Sequence, residues 1–165
     1  MSGRIYWIDE TWLGKLAVAA RPRGGDWLSD ELTDWKHAGV DSVLSLLTSS
    51  EEGDLGLQEE GSGARLAGLD FFSFPIEDRQ VPRSEAKLSE TLDSVSEALS
   101  EGKNVLVHCR QGVGRSGLVA ACLLVKKGMS PGAAVDKISS VRGVAVPETE
   151  EQREWIDHYA TAFTK

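Results

Sequence analysis

Histidine and cysteine are scarce in this chain of 165 residues: three of the first, His37, His108 and His158, and two of the second, Cys109 and Cys122. There is no CxxC pair and the histidines are scattered. Neither a disulfide framework nor a zinc site is predicted. Basic residues are outnumbered, 18 Lys and Arg against 26 Asp and Glu, and the resulting charge of −8 repels polyanions and argues against nucleic acid as a partner. Long hydrophobic runs are missing as well. The longest uncharged, mostly apolar stretch, residues 116–125, is about half of the ~20 residues a bilayer span requires. The opening MSGRIYWIDE has no signal-peptide pattern. The expectation is a protein of the reducing cytoplasm with no membrane insertion, in which any anionic ligand has to be captured by a local site.

What is present suits an ordinary globular protein. Hydrophobic residues make up 41% and charged residues 27%, enough apolar matter to close a core, and the length predicts a single domain over residues 1–165. Short apolar runs at 5–8, 16–19, 42–47, 71–74 and 105–107 are predicted strands. Leu88, Leu92, Val95 and Leu99 share one face of a helix that starts near Ser84 and stops at Gly102. Leu28, Leu32, Trp35 and Ala38 mark an earlier helix ended by Gly39. Ser130-Pro131 opens a helix reaching about Val141, and from Thr149 the residues Ile156, Tyr159 and Phe163 define a last one. Residues 49–63, SSEEGDLGLQEEGSG, are predicted to be a surface excursion with one weak helical turn. Helices alternating with near-continuous apolar strands predict an α/β fold: one central, mostly parallel mixed sheet flanked by helices on both faces, with the N-terminal strands adding an antiparallel edge.

The segment VLVHCRQGVGRSG carries the chemistry. A strand ends at His108-Cys109, a seven-residue turn follows, and a helix over 116–127 begins just after Arg115. Backbone N–H groups in such a turn can point inward as a nest, and the helix start adds roughly half a positive charge. Gly112 and Gly114 let the backbone approach a bound oxyanion. Cys109, at a helix start beside arginine, is placed to ionise to a nucleophilic thiolate, and Arg115 offers a planar fork of donors for two phosphoryl oxygens. Cys122, inside LVAACLLV, reads as core.

His108-Cys109, five residues and Arg115-Ser116 resemble the HCx5R(S/T) signature of the cysteine-dependent protein tyrosine phosphatase superfamily. FPIEDRQVP, residues 74–82, resembles the acid-bearing loop of its dual-specificity branch, and VPETEEQREWI, residues 146–156, its glutamine-bearing segment. The resemblance runs from about Ile5 to Tyr159. It implies a protein tyrosine phosphatase-like fold and a cofactor-free hydrolysis of phosphotyrosine, phosphoserine and phosphothreonine in protein substrates, through a phosphocysteine. In that picture Cys109 is the nucleophile and Asp78, favoured over Glu77, is the general acid. Arg115 and the loop of Arg110, Gln111, Gly112, Val113 and Gly114 bind the phosphate. Ser116 assists thiolate release, His108 orients the loop, and Gln152 helps place the attacking water.

Thr149-x-x-Gln152 is also a capping box, and the two readings of Gln152 stand side by side. Two residues depart from the family pattern: Arg79 where glycine is common and Gln111 where a small residue is usual. The alternatives to a protein phosphatase are a phosphoinositide phosphatase, whose signature carries lysines where this loop has only Arg110, and a phosphate-binding pseudophosphatase. A monomer is expected.

Overall fold

The alternation of apolar side chains in three strands decides how the layers stack. The computed structural model describes residues 3–8 and 12–163, with the side chain of Phe163 outside the described set. Strands β1 (Tyr6–Ile8), β2 (Leu16–Ala19), β3 (Ser42–Ser45), β4 (Asp70–Ser73) and β5 (Val105–His108) form one sheet in the order β1-β2-β5-β3-β4. The β1 strand is antiparallel to β2, and all other neighbours are parallel. Leu16, Val18, Leu44, Val105 and Val107 point to one core, and Ala17, Ala19, Val43 and Leu106 to the other. A strand buried on both faces needs apolar residues along its length, and β2 supplies them throughout and β5 as far as Val107. The predicted α/β class, the helices on both faces and the antiparallel N-terminal edge are all present.

Seven α-helices cover the sheet among the described residues. On one face lie α1 (Leu28–His37), α2 (Ser49–Leu55) and α3 (Glu60–Leu66), which contribute Leu28, Leu32, Trp35 and Ala64 to the smaller core. On the other lie α4 (Glu85–Ser100), α5 (Arg115–Lys126), α6 (Pro131–Arg142) and α7 (Glu150–Phe163). The α4 helix starts where Ser84 accepts a hydrogen bond from Lys87 N–H, and it buries Leu88, Leu92, Val95 and Leu99 completely. Each of these contributes about 1.5–3 kcal/mol relative to an exposed side chain. Ser130 caps α6 with proline at its first turn, and Gly143 ends it in the left-handed conformation.

Residues 49–63 correct the expectation of a surface excursion: they form α2 and α3. Thr48 and Glu51 close a reciprocal capping box, Leu57 and Ala64 are fully buried, and Gly56 at φ 69° makes the turn between the helices. The segment is too polar to show helical periodicity, and its two acidic side chains that turn inward, Glu51 and Glu60, are buried. The predicted strand at 71–74 lies at Asp70–Ser73, on the sheet edge and mostly exposed; only afterwards do Phe74 and Ile76 enter the core.

In register, Ala19, His108 and Ser45 stand abreast at the carboxyl ends of β2, β5 and β3. The chain leaves β3 toward α2 on one face and leaves β5 toward α5 on the other. Adjacent parallel strands whose exits diverge leave a crevice at their carboxyl ends, and in open α/β sheets that is where ligands bind.

Candidate active site

Cys109 follows β5 directly, and the loop 109–114 carries the chain into α5. Its Sγ lies 3.3 Å from Gly112 N, which donates to it, and 3.2 Å from Ser116 Oγ. Gly112 has φ 75°, and a Cβ there would sit 2.6 Å from the Ala19 carbonyl carbon, so the loop can press against the end of β2 only with glycine. A Cβ on Gly114 would meet Glu148 Oε1 at 2.9 Å. From outside, Arg142 at the end of α6 donates to the carbonyls of Gly112 (2.8 Å) and Gln111 (3.3 Å). Holding those oxygens outward leaves the amides of the loop and the uncapped start of α5 available to an anion on the inner side. Cys109, Arg110, Gln111, Gly114 and Arg115 line one cleft together with Asp78 and Glu148. Val113 packs on the larger core, and Ser116 is buried.

Arg115 is the largest fully buried side chain. Its guanidinium makes a bidentate pair with Glu51, at 2.6 and 2.9 Å, and donates to Ile76 O at 2.8 Å. Asp78 Oδ1 lies 3.3 Å from the Arg115 Nη2 that also meets Glu51. Burial alone would weaken the charge, but the Glu51 hydrogen bond, followed by the charges of Cys109, Glu51 and Asp78, raises the Arg115 pKa above its ordinary value. On Glu51, burial pushes the carboxyl up, and the bonds from Arg115 and Thr48 outweigh it, so the net shift is downward from 4.5.

A carboxyl whose folded-state value is depressed stabilises the fold above its ordinary value. That contribution disappears as pH falls through the lowered one. Glu51→Ala should cost about 3–5 kcal/mol by leaving the buried guanidinium without its bidentate partner, with only the exposed Asp78 carboxylate and the Ile76 carbonyl beside it, roughly 6–20 °C in Tm for a chain of this size. Glu51→Gln should abolish the matching loss of stability on the acid side. Thermal unfolding followed by circular dichroism from neutral to acid pH reads both, and a Tm within about 2 °C of wild type for Glu51→Ala would show that the pair contributes little.

The loop that carries Asp78 approaches from the far side. Asp78 is 55% exposed at its side chain and lines the same cleft as Cys109; Glu77 does not. Arg79, where the resemblance leads one to expect glycine, has φ 64°, the left-handed region that glycine favours. Its guanidinium pairs with Glu148 at 2.9 Å. Gln152 is fully buried and does two things. Its Oε1 accepts from Thr149 N–H and Glu148 N–H at 3.1 Å, the predicted capping geometry, and its Nε2 donates to Gln80 O at 3.0 Å. The cap is thus also a strut beneath the acid loop.

His108 is fully buried under the loop, with Nδ1 at 3.3 Å from Cys109 O and Nε2 at 2.6 Å from Glu60 Oε2. Cys122 is a core residue on α5, and burial pushes its thiol well above the ordinary range. Among the described residues no group of histidine, cysteine and acidic side chains has a metal-binding arrangement, and no helix is long and apolar enough to cross a membrane.

A family model described as Tc-R-P, polymorphic toxin system, DSP-PTPase phosphatase, matches residues 17–129, from β2 through the end of α5. The chain belongs to that family. Among curated relatives, the chain is 26% identical over 134 residues to rat (Rattus norvegicus) cyclin-dependent kinase inhibitor 3, covering 80% of the chain and 63% of the relative. It is 33% identical over 94 residues to the pig (Sus scrofa) protein of the same name, covering 56% and 44%. The chain thus spans about three fifths or less of the length of these relatives.

Two solved structures share the fold. Kinase associated phosphatase with its catalytic site cysteine substituted by serine superposes with a TM-score of 0.87 at 22% identity, covering 98% of this chain and 96% of that one. Tk-PTP in the active form gives 0.78 at 29% identity, covering 96% and 97%.

Of the residues singled out in the sequence, the cleft gathers Cys109, Asp78, Arg110, Gln111, Gly114 and Arg115, while Gly112 and Val113 do not line it. It also uses residues that reasoning missed. Glu51 and Glu60 reach the loop from 64 and 48 positions away in sequence, and Arg142 from 30. Only Glu51 had a local signal, the Thr48-x-x-Glu51 capping box, which places a helix start there.

Proposed function

We propose that the protein hydrolyses phosphorylated tyrosine, serine and threonine side chains of protein substrates through a phosphocysteine intermediate. The observation that carries this reading is the shared cleft: Cys109 Sγ, the Arg115 guanidinium and the Asp78 carboxylate converge at the start of α5. In the first step Cys109 attacks phosphorus in line. The S–P bond forms, the P–O bond to the side chain breaks, and Asp78 gives its proton to the departing oxygen.

In the second step water attacks phosphorus and loses a proton to Asp78. The S–P bond breaks, and the thiolate leaves with help from the Ser116 hydroxyl 3.2 Å away. Gln152 bears on this step through the loop that carries Asp78, whose Gln80 carbonyl its buried amide holds at 3.0 Å. Arg115 and the amides of residues 110–115 hold the three equatorial oxygens throughout, where preorganised donors act most strongly. The reaction uses a reduced thiol and no cofactor, which suits a cytoplasmic monomer.

Initial rates on phosphotyrosine, phosphoserine and phosphothreonine peptides beside phosphoinositides test the substrate class. Turnover of the peptides, competitive inhibition by vanadate and indifference to EDTA are the expected results. Hydrolysis of phosphoinositides alone would move the substrate class to lipids, and activity lost on chelation and restored by a divalent ion would overturn the mechanism.

A further inference from the structure

His108 offers both ring nitrogens to oxygen atoms. The Cys109 carbonyl near Nδ1 can only accept, so Nδ1 carries a hydrogen. A neutral ring would then turn a bare lone pair at Nε2 toward a Glu60 oxygen only 2.6 Å away. Two lone pairs at that distance repel, and both side chains are fully buried, so a hydrogen lies between them.

Glu60 brings no other hydrogen bond from its side chain: its buried Oε1 has no partner. An oxygen left unsatisfied in the interior is costly, and packing alone does not justify it. The remaining surroundings leave Glu60 as the counter-charge. The Trp35 ring of α1 lies 5.8 Å from the imidazole, and the strand neighbours are Ala19 and Ser45. The other ionisable group is Glu52 of α2, whose carboxyl is pushed up first by burial and then by Glu60, and pulled down by His108.

We propose that Glu60 is a positioning residue for the Cys109 chemistry: it holds His108 as an imidazolium beneath the loop, and the charged ring, donating to the Cys109 carbonyl, favours the thiolate. Glu60 never touches substrate. It meets the ring at Nε2, not at the nitrogen that faces the Cys109 carbonyl.

The inference rests on Cys109 reacting as a thiolate, and alkylation by iodoacetamide as a function of pH separates the two ideas. Mass spectrometry follows modification at Cys109, with buried Cys122 as an internal control. In wild type the alkylation midpoint should lie on the acid side of an ordinary thiol; if it does not, the reading of Cys109 itself fails. In Glu60→Gln the midpoint should move up by about one pH unit, roughly tenfold slower alkylation at acid pH, with the rates converging in base.

A wild-type midpoint in acid and a superimposable Glu60→Gln profile would overturn the role of Glu60 alone. Combined with His108→Asn, Glu60→Gln should shift nothing further, and an additional shift would show that Glu60 does not act through the ring. Should Glu60→Gln not fold, nitrogen NMR of the His108 ring in the wild-type protein decides. Both ring nitrogens protonated at neutral pH is the expected result, and a bare Nε2 would overturn the proposal.

Discussion

Cys109→Ser is expected to abolish turnover while phosphopeptide capture survives. A serine hydroxyl does not ionise near neutral pH, so the nucleophile is lost. The bidentate Glu51–Arg115 pair, the carbonyls held by Arg142 and the amides of the loop are untouched. Removing the attacking group from an enzyme that works through a covalent intermediate typically costs on the order of 10³-fold or more. Single-turnover assays with a phosphotyrosine peptide measure the loss, and isothermal calorimetry measures the binding that remains. Turnover within about tenfold of wild type, a loss of only ~1.4 kcal/mol, would exclude Cys109 as the nucleophile.

The second large effect belongs to Asp78. Proton donation to a leaving oxygen is worth about 10²–10⁴ in rate, but only when that oxygen leaves poorly without a proton. Asp78→Asn should therefore lower kcat strongly on phosphoserine and phosphotyrosine peptides and much less on an activated aryl phosphate in the step that forms the phosphocysteine. The basic limb of the pH profile should flatten in the same variant. Glu77→Gln should change little, since Glu77 does not line the cleft with Cys109. The reverse pattern, with the leaving-group-dependent loss in Glu77→Gln, would exchange the two roles. The Asn side chain keeps an oxygen that can accept from Arg115 but gives up the charge pairing at 3.3 Å, so the activated substrate serves as the control for that loss.

Most of what was legible of this site in the sequence lies on one continuous stretch. Residues 105–116 specify a strand, a loop and a helix start, and their glycines and arginine declare an anion cradle without reference to the rest of the chain. Asp78 and Gln152 were legible because proline and a capping pattern fix their local backbone. Glu51 and Glu60 were not. They occur in a Glu- and Gly-rich run whose composition looks solvated, and only the tertiary fold turns them inward to meet a guanidinium and an imidazole. Arg142 closes a helix whose sequence says nothing about the loop it grips. Charges that act by pairing across the sheet leave no periodic trace, since periodicity reports burial of apolar faces and not of ion pairs.

The Arg79–Glu148 pair and the Gln152 amide under Gln80 join the acid loop to the start of α7. The pair is exposed and worth at most about 1 kcal/mol, yet together with the buried amide it removes torsional freedom from residues 78–80 before any ligand arrives. The entropy of ordering that loop is then a cost of folding, shared with the core that α7 helps to build. Substrate binding energy is left for the phosphoryl group, where it lowers the barrier, and a small phosphate ester should gain as much from Asp78 as a long peptide does.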